Sequence, residues 1–165
     1  MLLSRSAENL YWANRYVERA ETISRLLDVG YRISLLPNYS STHKSEWESI
    51  LLSAGSFDGY RLKYNEFNQK NISDYLLFDN ENKSSVINCM KAARNNIRSA
   101  RTRVTNDVWL SCNQSQKTCQ KYKKKAYKTE NLPVLCNSIK QETNLLRGAI
   151  ENTQLENDGF AFLNL

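Results

Sequence analysis

Two prolines and five glycines in 165 residues leave the chain little with which to make turns. A β-sandwich needs a turn every eight to twelve residues or so, and this composition cannot supply them. A few long elements remain, and with 41% hydrophobic residues the natural element is the helix. Histidine is nearly missing: His43 is the only one. The four cysteines, Cys89, Cys112, Cys119 and Cys136, include no C-x-x-C pair that would put two thiolates on one metal. A zinc site is disfavoured, and reduced cysteines serving as small hydrophobes fit better. No apolar run approaches the roughly 20 residues that span a bilayer, and Met1-Leu2-Leu3 is too short for a signal-peptide core. The expectation is a cytoplasmic protein, in which the N-x-S/T triplets carry no meaning. No glycine-rich phosphate loop occurs, and no cofactor is expected.

The chain is also short of unbalanced charge, except in one place. The segment 117–128 holds six lysines and no acid. Removing these six from the 23 Lys and Arg leaves 17, equal to the 17 Asp and Glu, so the net charge of +6 is local.

At this length one domain, 1–165, has a sizeable core. The first helix is predicted from an N-cap at Ser6, with Glu8 in its first turn, to near Leu35, where Pro37 stops it; that is about 45 Å of helix. Leu10, Ala13, Val17, Ala20, Leu27 and Leu35 form one apolar stripe, and Trp12, Tyr16, Ile23 and Leu26 a second beside it. A helix apolar over roughly 200° packs on two sides and is central. Ser45-x-x-Glu48 has capping-box form and opens a short helix that Gly55 ends. Two brief apolar segments follow, Tyr60 to Phe67 and Asp74 to Phe78. Ser84 then caps a helix carrying Val86, Cys89, Met90, Ala93, Ile97, Ala100, Val104 and Val108, expected to run to about Leu110. Polar residues and the lysine run separate it from a last helix opening near Pro133, with Leu135, Ile139, Leu146 and Ile150 on one face. Three long helices and two or three short ones make an all-α bundle.

The charges pick out candidate residues. Arg15, Glu18 and Arg25 lie opposite the main stripe of the first helix, whereas Arg19 points into the second stripe. Glu142 sits in the apolar stripe of the last helix. A buried arginine needs a carboxylate, because an unpaired buried charge costs several kcal/mol, so an Arg19 to Glu142 contact is expected. Arg94, Arg98 and Arg101 border the stripe of the helix capped by Ser84 and are expected to face Glu18 or Glu21. Glu21 to Arg25 and Asp28 to Arg32 are i to i+4 pairs of a kind that belongs on plain helix surface, worth about 0.3 kcal/mol each. Lys117, Lys121, Lys123, Lys124, Lys125 and Lys128, interleaved with Tyr122 and Tyr127, form a candidate patch for nucleic acid or another polyanion. A run of this kind is more often a solvated connection. An enzymatic reading gives Glu18 an acid or base role with an arginine of 94–101 holding a carboxylate; it ranks below the others because no second group or pocket accompanies it.

The opening segment, Leu3-Ser-Arg-Ser-Ala-Glu-Asn-Leu-Tyr-Trp-Ala-Asn-Arg-Tyr-Val-Glu-Arg-Ala-Glu and then Arg25-Leu-Leu-Asp-Val29, closely resembles the start of the alpha-E family. That family is α-helical and is named for a Glu-Arg motif, here Glu18-Arg19. Ser85-Val86, Ala93-Arg94, Asn96, Trp109, Gly148, Thr153, Leu155 and the Asp158 to Leu163 ending resemble it further, while Asn14 and Asn95 depart from its usual glycine and acid. In the family a second Arg-Tyr-x-Glu-Arg-Ala motif follows such an ending. The resemblance therefore implies that this chain is the front half of a two-repeat architecture, a half-bundle that would bury its open face by forming a homodimer, or a remnant without independent function. It also implies partners, since family members go with ATP-grasp and transglutaminase-like or peptidase proteins in bacterial peptide synthesis or modification. An accessory or scaffold role follows from the resemblance alone.

Overall fold

The computed structural model describes residues 4–36, 43–124 and 127–152, all helix, turn or loop, with no strand among the described residues. Among the described residues seven α-helices follow in order: α1 (Ser4–Ser34), α2 (His43–Ser53), α3 (Phe57–Arg61), α4 (Gln69–Phe78), α5 (Val86–Ser99), α6 (Asn106–Lys124) and α7 (Leu132–Asn152). Helices α1, α5, α6 and α7 pack as a ring, each touching the next and α7 closing back on α1. The ring closes among the described residues of the one chain.

The direction of each helix follows from its core contacts. Leu10, Ala13 and Val17 from the first half of α1 pack with Ala93 and Ile97, with Val108 and Cys112, and with Leu146 and Ile150. Those partners come from the end of α5, the start of α6 and the end of α7, so neighbours in the ring are antiparallel. The second half of α1, through Ala20, Ile23 and Leu27, meets Met90, Cys119, Leu135 and Ile139. Each fully buried leucine or isoleucine here contributes about 1.5–3 kcal/mol. Helices α2 to α4 cap this end, where Trp47, Leu51, Tyr60, Ile72 and Leu76 join the same core.

Local chemistry sets the helix ends. Gly55 sits at φ 61, and Ser56 N donates to Leu51 O at 3.0 Å while Gly55 N donates to Leu52 O at 3.0 Å, the left-handed cap expected after α2. Helix α2 begins before Ser45, so Ser45 is not its N-cap. Helix α1 is already formed at Ser4, two residues before the expected cap at Ser6. The cap of α5 is Ser85 rather than Ser84; its hydroxyl accepts from Asn88 N at 3.4 Å and donates to Asp79 O at 2.7 Å.

The largest departure lies between Ala100 and Thr105. The expected single helix to Leu110 is two antiparallel ones, reversed by a 3-10 turn at Arg101–Arg103. Arg101 holds the turn by donating to Val104 O at 3.2 Å and Asn106 Oδ1 at 2.9 Å. Helix α6 then continues through most of the lysine run, which is therefore not a solvated connection. Its inner face is Val108, Cys112, Ser115 and Cys119.

Candidate functional site

The antiparallel pairing of α1 with α7 brings two short charge units together. Glu21 and Asp28, seven residues apart on α1, are each only 5% exposed. Arg147 and Lys140, also seven apart, stand opposite on α7. Glu21 Oε1 accepts from Arg25 Nε at 3.0 Å and Nη2 at 2.5 Å, and its Oε2 accepts from Arg147 Nη2 at 2.8 Å. Asp28 Oδ2 accepts from Lys140 Nζ at 3.0 Å and Arg32 Nη2 at 3.3 Å. Each unit is thus a buried acid, an arginine one turn along α1 and a cation across the groove. A charge so nearly removed from water persists only with such partners. Burial pushes the Asp28 carboxyl up, but Lys140 and Arg32 outweigh it and hold the group below its ordinary value.

These pairs are therefore not plain surface, because the acid of each is internal and bound to a second helix. Around Glu21 lies a cleft of about 460 Å³ lined by Arg15, Glu18, Arg19, Glu21, Thr22, Ile23 and Arg25 of α1, Ser53 and Ala54, and Arg147 of α7. Arg15 pairs with Glu18 at 2.6 Å. Arg19 is exposed on this cleft, and among the described residues no carboxylate pairs with it. A second hollow of about 740 Å³ adjoins through Arg25 and is lined by Asp28, Val29, Arg32, Lys140 and three amides, Asn137, Gln141 and Asn144.

The expected Arg19 to Glu142 contact is not made. Arg19 is exposed, with its charge near enough to α5 to act on the Cys89 thiol, and the Glu142 carboxylate faces α6, accepting from Thr118 Oγ1 at 2.8 Å and Ser115 Oγ at 3.4 Å. Among the described residues hydroxyls, not a cation, satisfy this acid within its apolar stripe. Nor do Arg94, Arg98 and Arg101 pair with Glu18 or Glu21 among the described residues. Arg94 Nε donates to Asn113 Oδ1 at 2.5 Å, and the Arg94 and Arg101 guanidinia lie 5.3 and 5.7 Å from the Trp109 ring centre. Arg98 is exposed on α5. Glu18 and Arg94 line different clefts.

In the lysine patch, Lys117, Lys121, Lys123, Lys124 and Lys128 are exposed, and Lys125 lies outside the described residues. The tyrosines are not stacking platforms: Tyr122 and Tyr127 pack against the core, Tyr127 with its ring 5.8 Å from Phe78. All four cysteines are free and buried, and burial pushes the Cys89 thiol up to about 11 and the other three to about 12.

Fold and site together define a single-chain antiparallel helical bundle with an arginine-rich groove at its one Glu-Arg dipeptide. Residues 2–165 match the model of the Alpha-E family, described as a predicted alpha-helical domain with a conserved ER motif, and the chain belongs to that family. The match runs over nearly the whole chain, which overturns the expectation that it represents the family's N-terminal half only. No curated protein and no solved structure matches it. Among the described residues no helix is long and apolar enough to cross a membrane.

Proposed function

We propose that the chain is a non-catalytic docking module that holds a protein partner through the α1/α7 groove in the cytoplasm, the partner being an ATP-grasp-type or transglutaminase-like protein of bacterial peptide synthesis or modification. The partner class comes from the family resemblance. The supporting observation is the state of the motif: Arg19 is exposed, with no carboxylate of the described residues on it, while its neighbours Glu18 and Glu21 are occupied by Arg15, Arg25 and Arg147. An open guanidinium is suited to bidentate capture of a carboxylate from outside.

The test mixes the purified chain with the ATP-grasp-type protein encoded nearest to its gene and measures the mass of the mixture by sedimentation. A complex is expected, and Arg19→Ala, which removes no internal ion pair, should weaken it about tenfold while leaving helicity and melting unchanged. A mixture that sediments as two separate species, or a variant that binds as well as the parent, rules the reading out.

A further inference from the structure

We infer that the α1/α7 groove recognises an extended acidic peptide segment, a stretch of a partner carrying Asp or Glu side chains at a regular interval. The inference rests on the docking reading above and names the chemistry that the same face would take.

The two charge units are a repeat. Glu21 to Asp28 and Arg25 to Arg32 each advance by seven residues along α1, and Arg147 to Lys140 retreats by seven along α7. Equivalent groups therefore recur about 10.5 Å apart along the groove. In each unit one buried acid meets two cations, so each has an excess positive charge. That excess is turned outward, because the Arg25 and Arg32 side chains are 64% and 69% exposed while their acids are buried. Their hydrogen bonds to buried carboxylates also fix the guanidinia, reducing the side-chain entropy lost when a ligand binds. Arg19 adds an open guanidinium at one end.

An extended peptide matches this spacing. In the polyproline-type conformation every third side chain returns to one face after about 9 Å, close to the interval between Arg25 and Arg32. Such a chain also presents backbone N–H and C=O groups along its length. The second hollow offers Asn137, Gln141 and Asn144, spaced to lie on one face of α7, and a side-chain amide both donates and accepts. Nucleic acid fits less well: neither hollow is lined by an aromatic ring on which a base could stack.

The experiment is fluorescence anisotropy of a labelled peptide of Glu-Ala-Ala repeats, beside a Gln-Ala-Ala peptide and a single-stranded oligothymidine, titrated with the full chain. The acidic peptide should bind, the glutamine peptide should not, and binding should weaken as salt rises. Arg19→Gln and Arg32→Gln should each lower affinity about fivefold without changing the melting profile greatly, since Lys140 stays on Asp28. Substituting Lys117, Lys121 and Lys124 by glutamine should leave binding unaltered. Equal binding of both peptides, sensitivity to the lysines instead of the arginines, or tighter arginine-dependent binding of the oligonucleotide overturns the inference. A partner complex that needs Arg19, with no binding of the acidic peptide, overturns it and leaves the docking reading standing. Peptide binding without a complex upholds the peptide chemistry of the groove and rules out the docking reading with its named partner.

Discussion

Replacing Lys140 by methionine tests whether the α1/α7 charge units hold the bundle together. The substitution keeps the length of the side chain and removes the cation that reaches across from α7. Asp28 would keep only Arg32, at 3.3 Å and largely exposed, and its Oδ1 already lacks a hydrogen-bond partner among the described residues. Breaking a fully buried pair costs about 3–5 kcal/mol. Here the Lys140 side chain is 22% exposed and one cation remains, so a loss of about 1.5–2 kcal/mol is the better figure. For a chain of this size that lowers Tm by about 3–8 °C near neutral pH. The dependence on pH then separates this charge effect from a packing fault. Because the folded Asp28 carboxyl titrates below its ordinary value, its contribution is present above the unfolded value of about 3.9 and is lost as pH falls through the lower folded value. Melting by circular dichroism across this range should therefore show a deficit that is full near pH 7 and fades below about pH 4. In the variant burial still raises the Asp28 carboxyl and Lys140 no longer opposes it, so acid unfolding should begin at higher pH. The double variant with Asp28→Asn should fall short of additivity by about 1 kcal/mol. A Tm at neutral pH within about 1 °C of the parent, or a deficit that persists unchanged into acid, would refute the reasoning.

Two glycines should respond to alanine for different reasons. At Gly55 nothing lies within 4 Å of the added methyl, so Gly55→Ala should cost only the left-handed backbone, about 1 kcal/mol, and asparagine less. At Gly30 the methyl would meet Ile50 Cδ1 and the Trp47 ring, so Gly30→Ala should force α2 from α1, costing about 1–3 kcal/mol with faster amide exchange in α2. The four buried thiols, held near 11 to 12, should resist an aromatic disulfide reagent at mildly alkaline pH in the native chain and all react at once in denaturant; fast reaction of any one in the native protein would contradict its burial.

Much of the bundle was legible because its stripes are strongly apolar. Leu10, Ala13, Val17, Ala20 and Leu27 in α1, and Leu135, Ile139, Leu146 and Ile150 in α7, are all buried at the expected spacing. The reversal after Ala100 was hidden by that same spacing. Val104 and Val108 continue the three-and-four interval of α5, although a turn intervenes and Val108 belongs to the next helix. Helix α6 was missed for the opposite reason. Its inner face uses Cys112, Ser115 and Cys119, whose weak hydrophobicity barely registers against the surrounding lysines and glutamines, yet small residues are what allow α6 to close against α7. Trp12 and Leu35 mislead the other way, large apolar residues that the bundle leaves 42% and 65% exposed.

The site was legible only one helix at a time. Glu21 with Arg25, and Asp28 with Arg32, have the spacing of surface pairs, and on an isolated helix that is what they would be. Their burial is decided by α7, whose Arg147 and Lys140 stand seven residues apart in the opposite direction. A heptad interval between two acids on one helix, matched by the same interval between two cations on a distant one, is the signal that could have revealed the groove. The Arg19 expectation failed on a simpler point. An arginine placed among apolar residues need not be buried, since its methylene stem can cover that surface while the guanidinium reaches water. The ion pair sought for Arg19 thus belongs to Glu21, two positions along α1, and Arg147, while Arg19 is left exposed at the rim of the cleft.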